Sequence, residues 1–483
     1  MFESANLAHE AKKSLYKREE PKLRQALLAA QSGVLQDRSF AVLILIAGVQ
    51  GAGRGQTVNL LHEWMDPRHV QTRGFGEPTQ DERERPEAWR YWNALPPKGA
   101  LGVFFGAWHT EPIMRRVRGK TSDDEFAHEI AQVSRLEKML ADEGVLLLKY
   151  WFHISKAEQK KCLRKAHEKL EAPYKKFVAV SEAFLRRTST PEAPWTVIPG
   201  FDARYRALAF GRHVLAAIDA RLEGKARKRP VPAPAPRVPP PDGLNVIRAL
   251  RLSQPMSKAQ YQDELDKWQG RLAALSQKKA MRRVSLVALF EGADAAGKGG
   301  AIRRVTSALD ARTYDTISIG APTDEERAQP YLWRFWRRLP RLGRFTFFDR
   351  SWYGRVLVER IEGFAAAPDW MRAYTEINDF EQALVRHGMV VVKYWLAISK
   401  EEQLKRFRER EKVSFKRFKI TPEDWRNREK WGDYEQAVCD MVDRTSTAIA
   451  PWTLVEANNK YYARIKVLKT LCKALEDAFE RVD

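Results

Sequence analysis

Gly292-Ala-Asp-Ala-Ala-Gly297-Lys298-Gly299-Gly300 follows directly on the apolar run VSLVALF (Val284–Phe290) and leads into a helix-like segment. A buried strand, a glycine-rich turn and a lysine at the head of a helix together form the pattern G-x-x-x-x-G-K-[ST], in which backbone N–H groups wrap a phosphate and the lysine adds charge. The glycines let the main chain turn back and approach the phosphate closely. Gly292, Ala295, Ala296, Gly297, Gly299 and Gly300 are therefore expected to contact nucleotide or phosphate, with Lys298 as the catalytic cation. One position departs from the pattern: Gly299 stands where Ser or Thr would supply a magnesium ligand. Asp294, inside the loop, is the candidate replacement, because magnesium prefers carboxylate and phosphate oxygens.

A second group of candidates follows the apolar run at Phe345–Phe348: Asp349-Arg350-Ser351-Trp352-Tyr353-Gly354-Arg355. An aspartate at the carboxyl end of a parallel strand sits at the crevice where such sheets bind ligands, the place of the metal-binding aspartate in P-loop enzymes. Arg350 and Arg355 then suit bidentate contacts to phosphate oxygens. Glu359, four residues after Arg355, fits either the site or an ion pair with Arg355. Between Lys405 and Lys430 lie eleven Lys or Arg residues, including Arg406, Arg410, Lys412 and Lys416. Such a run is either a solvated face or a basic lid over the transferring phosphates. The one histidine of this half, His387, precedes a buried strand, which argues for direct in-line transfer rather than a phosphohistidine intermediate.

The chain repeats itself at a constant offset of 244 residues, Gly292 against Gly48. Gly53 and Gly55 match Gly297 and Gly299, GEPTQDERERPEAWRYWNALP (76–96) matches GAPTDEERAQPYLWRFWRRLP (320–340), and KYWFHISKAEQ (149–159) matches KYWLAISKEEQ (393–403). Later, Pro194-Trp-Thr matches Pro451-Trp-Thr at an offset of 257, so the second copy has gained a net 13 residues after Gln403. In both copies apolar runs alternate with helical stretches, which implies a parallel sheet covered on both faces. The fold class is α/β, two tandem three-layer P-loop kinase-like domains. Seven prolines crowd the stretch 224–242, a semi-rigid spacer between domains 1–223 and 243–483. The first copy is expected to be inert: Asp294 becomes Gln50, Lys298 becomes Arg54, Asp349 becomes Phe105, Arg350 becomes Gly106 and Arg355 becomes Glu111. The recurring tryptophan pairs, Trp89/Trp92 and Trp333/Trp336, read as packing because the first copy keeps them without the chemistry.

The 483 residues, 44% hydrophobic and 30% charged, are those of a soluble globular protein of more than one domain. No apolar run approaches the ~20 residues that cross a bilayer, and the opening residues lack secretory-signal character, so no membrane partner and a cytoplasmic location are expected. Three scattered cysteines support neither disulfides nor a zinc site. The net charge of +22 suits polyanionic partners: nucleotides, inorganic polyphosphate or nucleic acid. No recognition helix or RNA-binding motif is visible, so nucleic acid is disfavoured; a homo-oligomer stays open.

GADAAGKGGAIRR, GAPTDEE, FFDRSWYGR and KYWLAISKEEQ together make each half resemble the polyphosphate kinase 2 family along nearly its whole length. That resemblance implies a thymidylate-kinase-like fold and magnesium-dependent transfer of the terminal phosphoryl group of inorganic polyphosphate to AMP, giving ADP. It also implies magnesium binding by Asp294 and Asp349 and phosphate binding by Lys298, Arg350 and Arg355, under a basic lid. Transfer to ADP or GDP is the alternative within the family, and a nucleic-acid-binding P-loop ATPase the alternative outside it. The residues by themselves reach a magnesium-dependent phosphotransferase with polyanionic substrates; donor and acceptor come from the resemblance.

Overall fold

Among the described residues ten strands alternate with helices, five in each copy. The computed structural model describes residues 1–7, 9–224, 244–412 and 422–482. The proline-rich spacer beyond Gly224, and Lys416 of the expected lid, lie outside the described residues.

The chain divides into two units. The first comprises Met1–Pro78, Arg90–Arg229 and Pro322–Trp333, the second Thr79–Trp89, Pro230–Ala321 and Arg334–Asp483. Each unit thus includes a short stretch from the opposite half of the sequence, which a division at the spacer alone does not anticipate. In the second unit, Arg85 Nε donates to the Leu339 carbonyl at 3.1 Å; in the first, Gln329 Nε2 donates to the Leu95 carbonyl at 3.1 Å. Both stretches contain a short helix whose N-cap threonine, Thr79 or Thr323, forms a capping box with the glutamate three residues on.

The first sheet contains β1 (Val42–Gly48), β2 (Val70–Gly74), β3 (Leu101–Phe105), β4 (Leu146–His153) and β5 (Trp195–Pro199) in the order β2-β3-β1-β4-β5. The second repeats that order with β6 (Ser285–Gly292), β7 (Tyr314–Ser318), β8 (Phe345–Asp349), β9 (Met389–Ala397) and β10 (Trp452–Glu456), as β7-β8-β6-β9-β10. Every pairing is parallel. Central strands β1 and β6 are buried nearly throughout, as strands covered by helices on both faces must be. Around β6 the core brings together Leu286, Ala288, Phe290, Tyr394, Val467 and Leu471. The tryptophan reading holds for Trp336, which meets Phe380 edge-on at 4.8 Å in the core.

One buried polar cluster recurs in both units. Lys393 on β9 donates to Glu381 at 2.8 Å and to the Thr445 carbonyl at 2.7 Å, while Trp352 Nε1 donates to the same glutamate at 3.1 Å. In the first unit Lys149, Glu137, Thr188 and Trp108 repeat the arrangement, at 2.6, 2.7 and 3.0 Å. Each charge is fully desolvated but multiply bonded, which is what keeps a buried ion pair from being a net cost. Where the second unit adds Tyr353 to this cluster, donating to Glu381 at 2.7 Å, the first has His109.

Burial, with the neighbouring Lys149 and Arg54 charges, pushes the His109 imidazole down to about 3; burial likewise pushes His153 of the same unit down to about 4. Both stay neutral in the folded unit well below the ordinary value near 6.5. The unfolded chain therefore binds more protons as pH falls below about 6.5, and the fold loses stability on acidification toward about 4 through His153 and toward about 3 through His109. Denaturant unfolding across that range should show His109→Phe with a shallower pH dependence than the parent protein; an identical slope would contradict the burial account.

Candidate active site

β6 ends at Gly292, with φ of 150°, where a Cβ would lie 2.5 Å from the Leu396 carbonyl oxygen of β9. Only glycine fits that approach. The turn then reaches Gly297, the left-handed N-cap (φ 107°) of the helix Lys298–Thr306, so the free N–H groups of the first helical turn open onto the loop Gly292–Gly297. Lys298 Nζ donates to the Gly292 carbonyl at 2.8 Å, which keeps the ammonium at the loop.

β8 runs beside β6, pairing Phe290 with Asp349, and so delivers Asp349 to the same end of the sheet. A Cβ at Gly299 would lie 3.8 Å from Asp349 Oδ2. The carboxylate thus approaches the position from which a Ser or Thr side chain would otherwise project. Arg350 Nη2 donates to Asp294 Oδ1 at 3.2 Å, and Asn427 Nδ2 donates to Asp294 Oδ2 at 2.9 Å. Burial opposes the Arg350 charge, but Asp294, Glu291 and Asp349 outweigh it and raise its pKa. Asp294, Lys298, Gly299, Asp349 and Arg350 therefore meet at one end of one sheet. Arg355 stands one turn further on and pairs with Glu359 at 3.0 Å, the ion pair that their spacing allowed.

Among the described residues no three His, Cys, Asp or Glu side chains are grouped as a metal cage. The donor set fits a magnesium ion only if substrate oxygens and water complete its shell, which is how this ion is usually held beside phosphates.

The expected lid separates into parts. The helix Lys400–Glu411 packs against the helix Pro422–Glu429 through Phe407 and Trp425, 5.2 Å apart edge to face. Lys405, Arg408, Lys412 and Arg428 line a groove there together with Glu401, Leu404 and Glu409. Arg410 is half-buried, and burial lowers its pKa against the pull of Asp424 and Asp294. Arg406 departs from the lid reading. Its guanidinium donates to the Ala295 and Ala296 carbonyls at 3.0 Å each, to the Ala457 and Asn458 carbonyls at 2.6 and 3.0 Å, and to Glu402 at 2.7 Å. All three nitrogens are engaged, so Arg406 staples the phosphate loop in place. The repeat carried the signal, since its counterpart in the first copy is Cys162.

His387 caps the helix Ala367–Arg386 just before β9, whose first residue pairs with Ser285 at the start of β6. The phosphate loop lies at the other end of β6, about 23 Å away at roughly 3.3 Å per residue.

The family profile described as Polyphosphate kinase 2 (PPK2) matches residues 10–226 and again 255–482. The chain belongs to the polyphosphate kinase 2 family. Among relatives, a polyphosphate:AMP phosphotransferase of Pseudomonas aeruginosa is 52% identical over the full length of both chains. One of Acinetobacter johnsonii is 36% identical, covering 95% of this chain and 96% of its own. A GDP-polyphosphate phosphotransferase of Mycobacterium tuberculosis matches 46% of this chain at 37% identity, over 76% of its own length. A crystal structure titled putative polyphosphate kinase 2, from Pseudomonas aeruginosa, superposes over both whole chains with a TM-score of 0.92 at 52% identity.

The first copy keeps the polyphosphate kinase 2 scaffold with other residues at the loop. Gln50 donates to Glu168 at 3.2 Å and to the Lys169 carbonyl at 3.1 Å, and accepts from Glu171 N at 3.2 Å. Glu168 and Glu171 of that segment also supply countercharge to the half-buried Arg54. Two backbone positions sharpen the contrast. Ala295 and Arg350 have left-handed φ of 63° and 64°, and their counterparts Gly51 and Gly106 have 86° and 70°. A non-glycine residue in that region costs on the order of 1 kcal/mol. At Gly106 a side chain is excluded outright, since a Cβ would lie 2.6 Å from the Phe75 carbonyl oxygen.

Arg350→Gly should accordingly leave stability unchanged or raise it by up to about 1 kcal/mol, because its half-exposed ion pair is worth little, while turnover falls about a hundredfold. Denaturant midpoints and steady-state rates measure both, and a loss of more than about 1 kcal/mol of stability would refute the strain argument.

Proposed function

We propose that this protein is a polyphosphate:AMP phosphotransferase, moving the terminal phosphoryl group of inorganic polyphosphate to AMP with Mg2+ as cofactor. The observation that carries the reading is the match at 52% identity, along the whole of both copies, to a protein of that name. The site supports it: a helix N-terminus, Lys298, Arg350 and two carboxylates converge, and no nucleophilic side chain is required. An AMP phosphate oxygen attacks the terminal phosphorus of the polyphosphate, the bridging P–O bond breaks, and the chain leaves one phosphate shorter as ADP forms. Because the attacking oxygen is already anionic, no general base is needed.

Asp294 and Asp349 would hold the magnesium, with substrate phosphates completing its shell. The ion would neutralise charge on the transferring group. The N–H groups at the head of Lys298–Thr306 and the Lys298 ammonium cradle the phosphate, with Arg350 and Arg355 fixing the donor and acceptor oxygens in line. Asn427 and Arg350 hold Asp294 in its place in the loop. The groove whose four cations, Lys405, Arg408, Lys412 and Arg428, outnumber Glu401 and Glu409 offers the long polyanion a track. A cytoplasmic location accords with these substrates, and no described helix is long and apolar enough to cross a membrane.

Purified protein with magnesium, long-chain polyphosphate and AMP, ADP or GDP in turn should convert AMP to ADP without added ATP. Phosphorylation of GDP alone would favour the activity named for the Mycobacterium tuberculosis relative, phosphorylation of ADP alone would favour a nucleoside diphosphate as acceptor, and dependence on ATP as donor would overturn the reading. Asp294→Asn and Asp349→Asn should each lower turnover at least about a hundredfold, roughly 3 kcal/mol of transition-state stabilisation. A near-parental rate for Asp349→Asn would remove its assigned role.

A further inference from the structure

Glu291 is the penultimate residue of β6, at the mouth of the phosphate loop, and is only 5% exposed. Ser351 Oγ, itself buried, donates to Glu291 Oε1 at 2.8 Å and accepts from Tyr353 N at 3.3 Å. Between Asp349 and Ser351 the chain passes through the left-handed Arg350, whose N–H donates to the Phe290 carbonyl at 3.1 Å. β6–β8 pairing ends at Phe290 and Asp349, so the turn that presents both site residues continues beyond the last strand pair. The Glu291–Ser351 bond anchors the far side of that turn back onto β6.

We infer that Glu291 and Ser351 are positioning residues, a buried hydrogen-bonded pair that fixes the Asp349–Arg350 turn against the phosphate loop. The inference rests on the reading above, in which Asp349 and Arg350 act on substrate. A second observation supports it independently. In the first copy both partners are alanine, Ala47 and Ala107, although the buried Lys149–Glu137–Trp108 cluster of the same unit is retained in full. Two buried polar groups kept for stability alone would persist with that cluster. These were lost with the site residues at Gln50, Arg54, Phe105 and Gly106. Burial raises the Glu291 pKa on balance, against the Ser351 hydrogen bond and the nearby Lys298 and Arg350 charges, which favour its ionised form.

The test uses full-length Ser351→Ala, Glu291→Gln, Glu291→Ala and the double alanine variant, assayed with polyphosphate and AMP. Misplacing a reacting group by a fraction of an ångström costs rate rather than affinity. Ser351→Ala and Glu291→Ala should each lower kcat by about tenfold or more, with KM for AMP changed less than about twofold. The double variant should be no slower than the slower single one, because both changes break the same bond. Glu291→Gln still accepts from Ser351 and should recover most of the loss. A Ser351→Ala enzyme within about twofold of the parent kcat, losses that multiply in the double variant, or Glu291→Gln as slow as Glu291→Ala would each overturn the inference. Ser351→Ala and Glu291→Gln change little volume, so misfolding of Glu291→Ala leaves the decision to them. Should Asp349→Asn be inactive while Ser351→Ala is fully active, only this inference falls; should Asp349→Asn be fully active, the reading beneath it falls instead.

Discussion

At Gly292 the chain must leave a buried strand while passing 2.5 Å, measured from a would-be Cβ, from the carbonyl oxygen of the neighbouring strand. That approach aims the next residues around the end of the sheet, so that the helix beginning at Lys298 starts with its N–H groups on the loop. Everything at the site depends on this geometry. Asp349 reaches Gly299 because β8 is in register with β6, and Arg350 reaches Asp294 because its backbone accepts a left-handed turn. Arg406 ties the loop carbonyls to the end of β10, which fixes the cradle from its other side.

The two copies separate what the fold requires from what the chemistry requires. Gly48 makes the same close approach to Phe152, and the buried lysine–glutamate–tryptophan cluster recurs with bond lengths within a few tenths of an ångström. Breaking one partner of such a buried pair typically costs about 3–5 kcal/mol, reason enough for both copies to hold it. Among the residues that differ are those around the loop: Asp294, Lys298, Asp349, Arg350, Arg406, and the buried pair Glu291 and Ser351. With glycine at the two left-handed positions the first copy is relieved of strain that the second retains at Ala295 and Arg350. Strain kept in one copy and relieved in the other is the pattern that functional constraint on a backbone leaves behind.

How far the sequence revealed this follows from where each signal lies. Central strands were legible because burial on both faces gives uninterrupted apolar runs. The edge strands β2 and β7, VQTRG and YDTIS, carry mostly exposed residues and no such run, so the alternating pattern passed over them. Strands β4 and β9 extend beyond their apolar runs because Lys149 and Lys393 continue into the interior, each charge met by a glutamate from a helix that sequence periodicity cannot pair with it. The glycine-rich turn ahead of the helix at Lys298 and the place of Asp349 at the end of β8 were readable from spacing alone. Arg406 was not, because a basic run looks the same whether its cations face solvent or grip carbonyls. Glu291 lay hidden in an apolar strand, and only its replacement by Ala47 in the first copy marked it.

The central claim is that one loop works and its duplicate is silent. The most direct measurement compares polyphosphate-driven ADP formation by full-length Lys298→Ala and Arg54→Ala. The account predicts no measurable turnover for Lys298→Ala and an unchanged chemical rate for Arg54→Ala. Substantial residual activity in Lys298→Ala would mean that the first copy is a working site, and would contradict the account.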